Sequence, residues 1–565
     1  MTKKYIFLIF TALNLSACGS DSSPSSDTHQ DNSSLTVSQS IQAKSILLEW
    51  NKIEGIKHYK LIRYRPSAHG LISEVIEPSI TGTSYKLKID LVDFDAAASD
   101  YELLACKNND YCLVQSPQFQ LKNLEQTVIR VKTNLKHSDS SNVRFGDALT
   151  WKNDHLIVNS GEESNHIVGI YTAQENGNYN YDEEIANRTS YNTEARKSTN
   201  SLVAIGNTFE DMMLATSTYS ASDENKALVI FGKTNSHYNN GYLEHWFENY
   251  SDSSGSITDS YGQALASSGD NGGIIVMGHK NKNMAGEVSL FLNKDLNFPS
   301  APESGIKTVR HPSELKLKRP DDLAIDAKFG ASVAIAKDNV IVVGSPMDSL
   351  RKDTGSEVKH GGTVYVYRLN PYPNHYTDIW CLETVLKMPI PIENSGFGSS
   401  VTINKDANLI LVGAPGVDKV FSYKYDSQKG FWSNVDSIDP VKAFKGQNFG
   451  SDIALSDNGY LAVSAPQAPW RGFGFHHSPD TLEIGGDTDG AVYVYHLTNY
   501  GDRDYAWEGV FTGDSVSGVN EEFGKSMMFK PGADELAIGA PGHPSDPLLD
   551  WSDNSWKDAG AVYIF

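Results

Sequence analysis

Four stretches in the C-terminal half of the chain read almost as copies of one another. They are FGASVAIAKDNVIVVGSP (329–346), FGSSVTINKDANLILVGAP (397–415), FGSDIALSDNGYLAVSAP (449–466) and FGKSMMFKPGADELAIGAP (523–541). Each opens with Phe-Gly, alternates, crosses a short polar turn and ends in an apolar run closed by a small residue and Pro. Alternation, tight turn and β-branched run together spell a β-hairpin. A hairpin repeated at this spacing points to a propeller or an array, and that outranks any residue-level reading.

Every unit continues with a third strand: GGTVYVY (361–367), DKVFSYKY (418–425), GAVYVYHL (490–497) and GAVYIF (560–565). A fourth segment begins near a tryptophan, at Trp246, Trp380, Trp432 or Trp507. Four short antiparallel strands per unit is the content of one propeller blade. Weaker copies start at Phe145-Gly146 with HLIVNSG (155–161) and at Tyr261-Gly262 with IIVMGHK (274–280). Between them, 201–249 lacks Phe-Gly but keeps the strand pattern, which makes seven units. The seventh ends the chain at its third strand, and TVIRVKT (127–133) is the segment expected to supply its outer strand and close the ring.

These residues resemble the FG-GAP repeats of integrin α-chain propellers, and more closely bacterial FG-GAP repeat proteins, over about 135–565. The resemblance implies an all-β chain built on a seven-bladed β-propeller. The integrin-type calcium loop is missing. The equivalent turns, KDN, KDAN, SDNG and KPGADE, are too short and too poor in carboxylates for six to eight oxygen ligands. Asn458-Gly459 and Asp338-Asn339 read as tight hairpin turns. No metal and no cofactor is expected.

The other end of the chain speaks to location. A basic head, Met1-Thr2-Lys3-Lys4, precedes the apolar run YIFLIFTAL (5–13), too short to span a bilayer as a stable helix. Leu15-Ser16-Ala17-Cys18 then resembles a bacterial lipobox, which implies acylation of Cys18; the alternative is an ordinary signal peptide that contains a cysteine. Gly19 and Ser20, with no aspartate after the cysteine, favour the outer membrane by resemblance to bacterial sorting rules. Several acyl chains would make that anchor effectively permanent.

The remaining organisation follows from composition and pattern. Residues 1–18 form the signal segment, and 19–34, GSDSSPSSDTHQDNSS, form a flexible tether with too few apolar side chains to order. Alternating strands around Leu48, Trp50, Tyr59, Leu61 and Tyr101 in 35–124 resemble a small fibronectin type III β-sandwich, and 125–565 is the propeller. Cys106 and Cys112 flank KNNDY at a hairpin tip, placed for a local disulfide in an exported protein. Cys381, beside Trp380, reads as a buried small hydrophobe.

A formal charge of −22 argues against nucleic acid, since phosphate binding needs a basic surface. Catalytic signals are sparse. Gly513-Asp514-Ser515 has no nucleophile frame around it, and His476-His477 has no further ligand at hairpin spacing. The runs Asp182-Glu183-Glu184, Asp321-Asp322 and Glu521-Glu522 read as solvated faces.

The long loops, 346–361, 466–489 and 541–559, all emerge on one face of the ring. Long loops on a rigid scaffold commonly carry function. Trp470, Arg471, Phe473 and Phe475, with Trp551 and Trp556, have a hot-spot composition and are the expected ligand contacts. The expectation is a lipid-anchored, non-enzymatic adhesion or binding module for a protein or glycan, touching the membrane only through its anchor. A subunit of an envelope complex and a polysaccharide-acting propeller enzyme are the alternatives.

Overall fold

In the computed structural model the described residues are 34–67, 70–89, 99–108, 111–132, 144–160, 167–186, 196–205, 213–220, 226–233, 242–248, 264–268, 274–279, 285–292, 315–337, 339–351, 357–370, 379–471, 474–476, 483–484, 489–497, 505–513, 520–543 and 560–565. The signal segment, Cys18 and the tether fall outside this set, apart from Ser34.

Each repeat becomes one antiparallel sheet whose strands pair in sequence order. Sheet 1 comprises Phe145–Lys152, His155–Ser160, Ile167–Ala173 and Tyr179–Ala186. Sheet 2 runs from Arg196–Ile205 to Tyr242–Glu248, so the stretch without Phe-Gly still folds as a unit. Sheet 3 runs from Ala264–Ser267 to Leu315–Lys316, sheet 4 from Ser332–Ala336 to Trp380–Leu386, and sheet 5 from Val401–Ile403 to Phe431–Ile438. Sheet 6, from Ile453–Leu455 to Tyr505–Thr512, gains a fifth strand, Gly474–His476, on its outer edge. Sheet 7 contains Ser526–Phe529, Leu536–Ala540 and Ala561–Ile564, and its fourth strand is Ile129–Lys132. Ala561 lies opposite Lys132 and Ile564 opposite Ile129, so an N-terminal strand does complete the last sheet. First strands touch in the order 1 to 7 and back to 1, a closed propeller-like cycle.

The Phe-Gly and Gly-Ala-Pro signatures are explained by how neighbouring sheets meet. The Gly of the second strand in one sheet lies against the Phe-Gly of the next: Gly413 against Gly450, Gly344 against Gly398 and Gly539 against Gly146. At Gly413 a Cβ would overlap the carbonyl oxygen of Gly450, so no other residue fits without moving backbone. Gly450 itself needs φ +92, a left-handed value that L side chains rarely adopt. A hydroxyl reinforces most of these contacts. Ser332 Oγ donates to Gly398 O at 2.8 Å, Ser400 Oγ to Gly450 O at 2.8 Å and Ser526 Oγ to Gly146 O at 2.7 Å. The Phe of the pair then packs edge-on against third-strand rings of its own sheet, as Phe449 does on Tyr493 at 5.2 Å and Phe523 on Tyr563 at 5.3 Å.

Residues 35–124 form a β-sandwich. A three-stranded sheet, Val37–Gln42, Ser45–Trp50 and Ser84–Lys88, faces a second built from Gly70–Ile80, His58–Ser67, Asp100–Asn108 and Tyr111–Gln115. Ile46, Leu48, Trp50, Leu61, Tyr101 and Leu103 share its core. Cys106 and Cys112 are joined by a disulfide. Against expectation, Cys381 is an exposed free thiol. Neighbouring residues of a strand point to opposite faces, and here Trp380 turns inward and Cys381 outward.

The sandwich sits against the short-turn side of the ring. Ala43 packs on the core shared by sheets 7 and 1, and Gly177, in a turn of sheet 1, approaches so closely that a Cβ there would lie 2.8 Å from Ala43 O.

Replacing Gly413 with Ala should lower ring stability by about 1–3 kcal/mol, the usual cost of forcing extra volume into a packed site. A thermal melt reads it, and an unchanged midpoint would contradict the glycine contact. In the folded, unreduced protein Cys381 should take a maleimide label, read by peptide mapping; protection of Cys381 from labelling would contradict its exposure.

Candidate functional site

The long loops leave the ring after the second-strand Pro, on the face opposite the sandwich, and where described they fold back on themselves. In 346–361, Leu350–Arg351 pairs with Glu357–Val358, and Leu350 and Val358 are buried. In 466–489, Trp470–Arg471 pairs with Glu483–Ile484, and Phe475 lies opposite Phe511 on the outer strand of sheet 6.

This geometry changes the expected ligand set. Trp470 is 0% exposed and belongs to the core between sheets 5 and 6. Its Nε1 donates to Tyr493 Oη at 2.9 Å, its ring meets Phe444 edge-on at 4.8 Å, and Lys442 Nζ lies 5.2 Å from its centroid. It is a packing residue, not an accessible anchor, because the loop turns its indole inward. Phe475 is half-buried against Phe511 at 4.6 Å, in a strand and not at a loop tip. His476 is half-buried with Nε2 3.1 Å from Thr512 Oγ1. Arg471 is placed only by its backbone pairing with Glu483. Phe473, His477, Asp514, Ser515, Trp551 and Trp556 lie outside the described residues.

Among the described residues, charge converges instead at the seam between sheets 7 and 1. Arg144 precedes Phe145 with φ 48, a left-handed value that lets its side chain turn back. Its Nε reaches Asp147 Oδ2 at 3.1 Å, and its Nη2 reaches Asp147 Oδ1 at 3.0 Å and Glu522 Oε2 at 2.8 Å. Lys525 Nζ stands 3.7 Å from Glu522. Burial pushes the Asp147 carboxyl up in spite of Arg144. Burial also opposes ionisation of Glu522, but Arg144 and Lys525 together hold that carboxyl below its usual range. Two cations and two carboxylates neutralise one another, so the group clamps the seam and offers no nucleophile.

Beside this clamp one of the four close repeats departs from the other three. Where sheets 4, 5 and 7 carry Ser332, Ser400 and Ser526, sheet 6 carries Asp452. Its carboxylate accepts the N–H of Ile453 at 2.9 Å and, across the sheet boundary, that of Met527 at 3.0 Å. Asp452 keeps some accessible surface but lies deep between sheets 6 and 7. Burial raises its carboxyl to about 6, against the pull of those two N–H groups and of Lys525.

Among the described residues the acidic runs do not form an acid–base pair. Asp182 accepts from Thr172, Glu522 belongs to the clamp, and Glu521 is fully buried. No three His, Cys, Asp or Glu converge as a metal site among the described residues. The clamp and Asp452 were both missed from sequence. Asp452 had a signal, an acid at the serine position of an aligned repeat; the clamp joins residues 378 apart and had none.

One stretch matches a known family. A model described as an FG-GAP repeat covers residues 316–367, the heart of sheet 4. No curated protein matches the chain. Among solved structures, Kluyveromyces lactis Hsv2 is similar at 9% identity, covering 73% of this chain and 91% of that one, with a TM-score of 0.34. A candidate 6-phosphogluconolactonase of Bacteroides uniformis is similar at 9% identity over 81% and 97%, with a TM-score of 0.38. The C-terminal WD40 domain of Sif2 is similar at 12% identity over 77% and 98%, with a TM-score of 0.36. At such scores the likeness carries no argument, and the architecture rests on strand pairing and the glycine contacts.

Because the Asp452 carboxyl is raised from 3.8 to about 6, the folded state holds its proton more tightly than the unfolded chain. Stability from this group is therefore complete below about pH 4 and lost as pH rises through 6. Asp452→Asn removes the charge but keeps only one of the two acceptor oxygens, at a cost that does not depend on pH. Relative to the parent, the variant should therefore be about 1–2 kcal/mol better off at pH 8 than near pH 4, allowing for residual solvent contact. A pH series of denaturant midpoints checks this, and an equal or reversed difference at both ends would contradict it.

Proposed function

We propose that the chain is an outer-membrane lipoprotein whose ring is a non-enzymatic binding module, presenting its long-loop face to a protein or glycan partner. One observation carries the reading. The sandwich, which follows the tether and Cys18 in sequence, is docked on the short-turn side, with Ala43, Lys44, Lys86 and Lys88 facing turns of sheets 1, 6 and 7. An anchor at Cys18 then approaches from that side, and the loop face is the one turned outward.

On this reading the sandwich is a fibronectin type III-like spacer and the ring a seven-bladed FG-GAP propeller. The closed cycle of sheets supplies a rigid frame, which keeps the entropy lost on binding small. Arg471, Phe473, Trp551 and Trp556 are assigned to partner contact, while Trp470 holds its loop in place. Fold likeness to integrin propellers is slender support for adhesion; the placement of the faces is the stronger argument.

Detergent pull-down of the lipidated protein, compared with a Trp551→Ala/Trp556→Ala variant, tests the assignment. At least tenfold less partner is expected at an unchanged melting temperature, and equal recovery would overturn it.

A further inference from the structure

The sandwich has two ends, and the ring covers one of them. The hairpin of Val37–Gln42 and Ser45–Trp50 turns at Ala43, which packs on the ring, so Val37 and its partner Trp50 lie about 17 Å away at the free end. The second sheet runs the same way. Residues 81–83 carry the chain from Ile80 to Ser84, and the Trp50 N–H donates to Thr83 O, so Tyr59, opposite Ile80, belongs to the free end too. The Lys57 N–H donates to Cys106 O, which places the hairpin that follows Cys106 there as well.

This end also receives the chain that comes from Cys18. The Thr36 N–H donates to Asn51 Oδ1 at 2.8 Å and Asn51 Nδ2 to Ser34 O at 3.0 Å, which fastens the entering segment to the loop 51–57. As a flexible coil, 19–34 would span about 20–25 Å. A bilayer that holds Cys18 is then within reach of the free end.

Its chemistry runs against that of the whole chain. The formal charge is −22, yet the described segments 51–57, 81–84 and 107–108 carry Lys52, Lys57 and Lys107 against one acid, Glu54, which pairs with Lys52 at 3.5 Å. Lys57 and Lys107 are both exposed, and Asp110, at the hairpin tip, lies outside the described residues. Tyr111 and Leu113, 55% and 44% exposed, stand on one face of the returning strand. The Cys106–Cys112 disulfide staples this hairpin, so holding it against a surface costs little further order.

We propose that the ring-distal end of the sandwich docks on the bilayer that holds Cys18, with Lys57 and Lys107 meeting anionic phospholipid headgroups and Tyr111 and Leu113 entering the interface. This rests on the lipoprotein reading above and adds a contact beyond the acyl chains. Lysines are drawn to an anionic membrane surface over about a Debye length, and tyrosine suits the headgroup level because its ring is apolar and its hydroxyl polar. Two lysines alone make a weak surface, but the tether turns docking into an intramolecular step, for which a weak surface suffices. Docked in this way the sandwich is a fixed post, and it holds the loop face pointing outward.

The test is hydrogen exchange, read by mass spectrometry, on the acylated protein in nanodiscs of phosphatidylglycerol, beside nanodiscs of phosphatidylcholine and detergent-extracted protein. Peptides covering 52–57 and 107–113 should exchange at least threefold more slowly in phosphatidylglycerol than in the other two. Lys57→Glu/Lys107→Glu should remove that difference at an unchanged melting temperature, since both side chains are exposed. Equal protection in both lipids, or full protection in the variant, would overturn the proposal. Protection in detergent that grows with protein concentration would point to a second copy of the chain and overturn it too. Intact mass separates the two readings. A Cys18 without acyl chains removes the anchor and this contact together, whereas acylated protein without added protection removes this contact alone.

Discussion

The ring depends on backbone meeting backbone between neighbouring sheets. Where the second strand of one sheet passes the Phe-Gly of the next, Gly413 and Gly450 leave no room for a Cβ, and Gly344–Gly398 and Gly539–Gly146 repeat the arrangement. Such contacts fix both the separation and the relative rotation of adjacent sheets. Identical contacts repeated at equal steps close into a ring only when the rotation per step divides a full turn without a rise, and here the first strands do complete the cycle. The last of them, from sheet 7 to sheet 1, uses the same residues in the same way, including Ser526 Oγ to Gly146 O at 2.7 Å. The Phe-Gly and Gly-Ala-Pro patterns are thus a record of packing, not of ligand chemistry.

The seam is where the chain must be closed without covalent continuity, and it carries polar contacts at both ends. On the loop side Arg144 ties Asp147 to Glu522. On the turn side Lys530 Nζ reaches Asp154 at 2.7 Å and Tyr179 Oη donates to Glu535 at 2.9 Å. Exposed ion pairs contribute little singly; the gain here comes from joining elements nearly four hundred residues apart in sequence. Asp452 works in the opposite sense. At the boundary between sheets 6 and 7 a carboxylate stands where three other boundaries use a serine hydroxyl, which makes this boundary responsive to mild acid.

Much of the architecture was legible in the sequence because each unit is local: a hairpin, a third strand with paired aromatics, a fourth strand. Even the closing strand could be located, since a three-strand remainder at Phe565 demands a partner. The site was less legible. An aromatic-rich loop containing Trp470 looks the same whether its indole is displayed or folded under, and only the pairing of Trp470–Arg471 with Glu483–Ile484 decides it. Cys381 could have been read correctly from its place next to the inward Trp380. The contact between sandwich and ring had no sequence signal, because it joins segments that meet only when the sandwich docks.

The two sides of the ring therefore differ. The turn side is occupied by the sandwich, and the loop side faces away from it. Both depend on the ring being closed by Ile129–Lys132, the strand next to the segment Leu124–Thr127 that leads out of the sandwich. Native-state hydrogen exchange on the intact chain tests that closure most directly. Amides of 129–132 should exchange together with those of 561–564, and as slowly as the inner strands of the ring. Rapid exchange at 129–132 beside lasting protection at 561–564 would show that the ring is not closed this way.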